Sequence, residues 1–205
     1  TVNQVLTLYY SNSSFRNATS ISKSDNNGFF KSVRGKLNTD YFHNEKVFVD
    51  FEYQPLVPHM YSQEGPGIAV GDVNSDGMDD FFISGSTGFS GEIFVQQRTG
   101  KFFSYPLPGD NNYEDMGSLF FDADGDGDQD LYIVSGGSGL PPGSRYYADR
   151  LYINNGKGKF LHETKSLPDV RVCGSQVTAS DFDKDGDLDL FVCGRVDLEN
   201  YPLPP

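Results

Sequence analysis

The chain has 205 residues, enough for one sizeable core or two small ones. Its formal net charge is −13, from 29 acidic and 16 basic residues, and it has no basic patch to hold phosphates, which argues against nucleic acid as a partner. No apolar run approaches the roughly 20 residues of a membrane span, whereas 23 glycines, 17 phenylalanines and 12 tyrosines point to many short strands joined by tight turns.

Residues 2–10 alternate apolar and polar side chains as a strand does. Residues 11–28 are rich in Ser, Asn and Asp and belong with a linker that reaches to residue 40, interrupted by a short strand at Phe29–Val33. From Tyr41 the chain becomes denser in apolar residues. His43, Glu45 and His59 stand close together in sequence, and His43, His59 and His162 are the only histidines available as neutral-pH bases. Hydrogen bonding within a packed unit is the reading favoured for them.

Three acidic loops follow. They are Asp72-Val-Asn74-Ser-Asp76-Gly77-Met78-Asp-Asp80, Asp122-Ala-Asp124-Gly-Asp126-Gly127-Asp128-Gln-Asp130 and Asp181-Phe-Asp183-Lys-Asp185-Gly186-Asp187-Leu-Asp189. They hold 14 aspartates and one lysine; the rest of the chain balances 15 acidic against 15 basic side chains. The acidity therefore belongs to these loops. Carboxylates this dense repel unless a cation sits among them, and all-oxygen donors in irregular geometry suit Ca²⁺. The expected ligands are the side chains at positions one, three, five and nine and the backbone carbonyl at position seven. That gives Asp72, Asn74, Asp76, Met78 and Asp80; Asp122, Asp124, Asp126, Asp128 and Asp130; and Asp181, Asp183, Asp185, Asp187 and Asp189, for up to three Ca²⁺. Asn74 is a neutral donor and should weaken the first site slightly.

An EF-hand needs a glutamate at position twelve and flanking helices. Ile83, Ile133 and Val192 stand there instead. The flanks are short aromatic and β-branched runs, Ile68–Val70 and Phe81–Ile83 around the first loop, so each loop joins two strands. A second hairpin follows the first two loops, over 91–102 and 150–160, which makes four strands per unit. Four-stranded units repeated radially form a β-propeller. The third unit stops before its second hairpin, so the fold expected is all-β: a partial propeller of four-stranded antiparallel blades with calcium-binding hairpin loops, belonging to a longer protein. Thr1 is not a natural start, so a removed leader is expected. Cys173 and Cys193 flank the third hairpin. Ladder pairing centred on Asp185 sets Cys193 opposite Val177, which favours free thiols over a disulfide.

These loops resemble the FG-GAP/VCBS repeat family, as in integrin α-subunit propellers. Leu56–Pro66, Tyr113–Asp124 and Gly194–Pro204 look like the bacterial envelope proteins related to cartilage acidic protein, in which propeller repeats adjoin an ASPIC/UnbV domain. The resemblance implies that residues 1–10 are the tail of such a domain, residues 11–40 a linker and residues 41–205 about three blades. It implies calcium, an extracytoplasmic place (secreted, periplasmic or anchored to the outer membrane) and a binding or adhesion role toward a protein or glycan. Bare blade edges add strand exchange or self-association as an expectation. The alternative is a propeller-based carbohydrate-active enzyme, lyase or hydrolase. Glu114 and Asp115 are its candidate carboxylates, although neighbours on a strand point to opposite faces.

Overall fold

A computed structural model describes residues 41–196, apart from 54, 56, 57, 63 and 110. The strands expected at 2–10 and 29–33, the linker and the tail from 197 lie outside the described residues. Each expected metal hairpin is present. Strands β1 (Ile68–Gly71) and β2 (Asp80–Ile83) flank the first loop, β5 (Asp115–Phe121) and β6 (Asp130–Ser135) the second, and β9 (Cys173–Ser180) and β10 (Asp189–Val196) the third. The second hairpins are β3 (Glu92–Gln96) with β4 (Phe102–Pro106), and β7 (Arg150–Asn154) with β8 (Phe160–Glu163). They complete two four-stranded antiparallel sheets, β1-β2-β3-β4 and β5-β6-β7-β8; among the described residues β9 and β10 form a two-stranded third sheet.

The sheets stack face to face with a fixed polarity, because strand side chains alternate between faces. From the first sheet, Ala69, Phe82, Ile93 and Leu107 pack against Phe120, Leu131, Ile133, Tyr152 and Phe160 of the second. The other face of the second sheet offers Tyr132, Val134 and Leu151 to Val177, Leu190 and Val192 of the third. All six residues of β6 are buried as a result. The matching face of the first sheet has no sheet over it among the described residues, so Ile68 and Val70 are 60% and 62% exposed.

The third hairpin pairs Asp189 with Ser180, which sets Cys193 opposite Gln176 rather than the expected Val177. The loop proper is the eight residues 181–188, so the ladder is centred between Lys184 and Asp185 and slips by one. Cys173 faces Val196 across a bulge, and no disulfide joins Cys173 to Cys193.

Ahead of β1, the described residues from Tyr41 form no strand and one helical turn, α1 (Asp50–Tyr53). The buried Asp50 carboxylate anchors it, accepting from Tyr61 N at 3.1 Å, Ser62 Oγ at 2.5 Å and Ser138 Oγ in the loop after β6.

Phe82 is fully buried between the first two sheets. Phe82→Ala is expected to cost about 3–5 kcal/mol in denaturant unfolding at fixed calcium, whereas Val70→Ala should change stability by less than about 0.5 kcal/mol. Equal costs would contradict the stacking polarity.

Candidate metal centres

Each loop is folded by its own carboxylates accepting backbone amides. At position one, Asp72 takes the amides of Asp76 at 3.1 Å and Gly77 at 2.7 Å. Asp122 takes those of Gly125 at 2.8 Å and Gly127 at 3.0 Å, and Asp181 takes that of Gly186 at 3.3 Å. At position three, Asn74, Asp124 and Asp183 each accept the amide two residues on, at 3.1, 3.2 and 3.2 Å. At position five, Asp76, Asp126 and Asp185 do the same for Met78, Asp128 and Asp187, at 3.0, 2.9 and 3.0 Å. These successive turns need left-handed backbone. At position six it falls on Gly77, Gly127 and Gly186, with φ of 83°, 90° and 102°. At position four it falls on Ser75, Gly125 and Lys184, with φ of 58°, 78° and 66°.

Position nine has a second task that sequence reasoning missed. Asp80 Oδ2 accepts Val73 N at 3.1 Å across its own loop, while Oδ1 accepts Gln96 N on β3 at 2.7 Å. Asp130 repeats this with Ala123 N at 2.9 Å and Asn154 N on β7 at 2.8 Å. Asp189 makes the loop half of the bond, to Phe182 N at 2.9 Å. Asn154 Nδ2 then donates to Val73 O at 2.8 Å, tying the second sheet to the first loop. An Asn ahead of an Asn-Gly turn was the signal available for that residue.

Carboxylate oxygens of Asp122, Asp124 and Asp130 lie within 4.8 Å of one another, as do those of Asp181, Asp183 and Asp189. Positions one, three and nine thus converge in the second and third loops, and these two clusters can hold a metal ion. The position-five aspartates are not part of the groups. In the first loop Asn74 stands at position three. Burial pushes the Asp130 carboxyl up against the pull of the Asn154 and Ala123 amides, and Asp124 and Asp126 add repulsion; Asp80 is raised in the same way, with Asp76 and Asp72 as its repelling neighbours. Asp181 Oδ1 is buried without a hydrogen-bond partner. Crowded carboxylates and an unsatisfied oxygen fit a hard divalent cation.

A second titratable group lies at the opposite ends of the strands. His43 Nε2 and Glu45 Oε1 are 2.7 Å apart, so this expected pair does meet; His59 instead lies 2.8 Å from Glu64, which is also paired with Arg195. Glu114 and Asp115 diverge as neighbours on a strand do. Glu114 Oε2 accepts Thr87 N and Oγ1, both at 3.0 Å, while Asp115 pairs with Arg150 and accepts Gly85 N at 3.1 Å. Burial pushes Glu114 up to about 7 against the pull of the Thr87 amide and hydroxyl, and repulsion from Glu45 and Asp115 adds to the rise.

Residues 122–192 match the family model described as an FG-GAP-like repeat, about a third of the chain, taking in the second and third loops. The match supports the FG-GAP/VCBS repeat family. No curated protein matches the chain.

Between the ordinary value of 4.5 and about 7, folded Glu114 keeps a proton that the unfolded chain has lost. Its contribution therefore falls as pH rises through that window and is level above it, a change on the order of 2–3 kcal/mol. Glu114→Gln keeps an acceptor for Thr87 and removes the titration. In saturating calcium, unfolding free energy measured from pH 5 to 8 should fall less steeply in the variant; parallel profiles would refute the assignment.

Proposed function

We propose that this chain is a calcium-stabilised propeller module of the FG-GAP/VCBS type, from a bacterial envelope or secreted protein related to the ASPIC/UnbV-associated group, and that it binds a protein or glycan ligand. In this reading residues 41–205 are its blades and residues 1–10 the tail of an adjoining domain. The observation that carries it is the convergence of the position-one, -three and -nine carboxylates in two loops of common design. The third cation would sit in the first loop, with Asn74 as its neutral donor. When bound, Ca²⁺ would take the side chains at positions one, three, five and nine and the carbonyl of Met78, Asp128 or Asp187. Millimolar calcium outside the cytoplasm suits such sites, and extracellular modules bind near 10⁻⁴–10⁻³ M. Among the described residues no helix is long and apolar enough to cross a membrane. The outer edge of β10, bare among the described residues, is where strand exchange or self-association would occur.

The enzymatic alternative has one observation in its favour. Glu114, near neutrality, lies within electrostatic reach of Glu45, which pairs with His43, and perturbed carboxyls of this kind cluster at active sites. Glycan turnover that disappears in Glu114→Gln would establish it.

At about 1 mM calcium each site should add about 0.4–1.4 kcal/mol by mass action, and three sites about 1–4 kcal/mol. Excess EDTA is expected to lower the melting temperature by several degrees. Asp122→Asn combined with Asp124→Asn should remove one calcium from the calorimetric stoichiometry. A melting curve indifferent to both calcium and EDTA would sink the reading.

A further inference from the structure

The two complete sheets carry equivalent positions with opposite charge. Ile83 faces Glu92 across β2 and β3 as Ile133 faces Arg150 across β6 and β7, so Glu92 is the first-sheet counterpart of Arg150. Arg150 fills its place between the sheets. Its guanidinium lies 4.0 Å from the Tyr113 ring centroid and pairs with Asp115. Cation, aromatic face and carboxylate are all supplied by the chain.

Around Glu92 the cation is what differs. The corresponding space is a groove of about 600 Å³ between the first sheet and residues 41–44, lined by Tyr41, His43, Phe89, Glu92, Phe94 and Ser104. Tyr41 stands edge-on to Phe94, with ring centroids 5.5 Å apart. Ser86 Oγ donates to Asn44 O at 2.6 Å and holds the covering segment in place. The Glu92 carboxylate, half-buried, has no hydrogen-bond or ion-pair partner among the described residues. His43, the basic side chain of the wall, is already committed to Glu45. The field in the groove is negative: burial raises the Tyr41 hydroxyl, and Glu92 and Glu45 raise it further.

We propose that this groove binds an organic cation on an apolar stem, a guanidinium or alkylammonium group, with Glu92 as counter-charge and the Tyr41 and Phe89 rings as its walls. The ligand does at Glu92 what Arg150 does at Asp115. Aromatic faces attract such cations, most strongly where water is partly excluded, and the volume suits a ligand of amino-acid size. The proposal rests on the binding-module reading and gives it a ligand class, without using the calcium loops.

The test takes the full chain in saturating calcium and titrates it with N-acetyl-arginine amide, N-acetyl-lysine amide and the neutral N-acetyl-citrulline amide, read by calorimetry and saturation-transfer NMR. At least one cation should bind, and citrulline should bind at least about tenfold more weakly; the tighter of the two cations identifies the head group. Glu92→Gln should weaken cation binding by about tenfold or more with its melting temperature unchanged, and Tyr41→Leu should weaken it severalfold. Citrulline binding as well as arginine, a Glu92→Gln variant that binds normally, or no cation binding at about 10 mM each overturns the proposal. The calcium-dependent melting shift is measured on the same samples. Its loss defeats the module reading, whereas its persistence without cation binding defeats the groove alone.

Discussion

The bond pair at position nine is the constraint on which the rest depends. One aspartate accepts an amide from its own loop and another from the next strand: Asp80 from Val73 and Gln96, Asp130 from Ala123 and Asn154. The same side chain therefore sets the loop's curvature and the lateral position of the second hairpin. Both residues are almost wholly buried, where an unsatisfied carboxylate would cost several kcal/mol. Asp189 makes the first bond, is exposed, and belongs to a sheet that has two strands among the described residues. The contrast shows what the second hairpin adds: burial as much as hydrogen bonds.

Stacking polarity follows from the same geometry. With position nine fixed, the residues after it alternate, so Leu131 and Ile133 face the first sheet while Tyr132 and Val134 face the third. Each sheet presents two unlike faces, and the chain joins them in one sense only. This explains why the apolar Val70 is exposed although its counterpart in the second sheet, Phe120, lies in an interface.

The repeat was legible because its chemistry is local. Aspartates at alternate positions, a glycine at position six and flanking β-branched or aromatic runs are all contained in about 20 residues, and the strands fall where those runs stand. Register was legible to one residue: centring the ladder on Asp185 misplaced Cys193, because Asp189 is already paired. Longer-range arrangements left no local trace. Nothing in the surroundings of Asp50 announces Ser138, 88 residues away, and nothing around Arg150 points to Asp115 and Tyr113. The double duty of Asp80 and Asp130 was hidden for another reason. A carboxylate in a metal-loop motif is already explained by the metal, so its backbone bonds are not sought.

Charge divides the strands into two ends of different character. At the loop end carboxylates converge on one another and can hold an added cation. At the other end Asp115 has Arg150 and Glu64 has Arg195, and Glu45 is hydrogen-bonded to His43, so these carboxylates have their partners within the chain. An end held by internal pairs needs no added cation for its shape, while the loop end, in the reading proposed above, would answer to calcium. Against that paired background Glu92 stands out, since β3 carries a carboxylate at the register position where β7 carries a guanidinium. A reversal at one position of an otherwise parallel design, next to a groove rather than inside a packed interface, is the observation on which the proposed recognition rests, at the end of the strands away from the acidic loops.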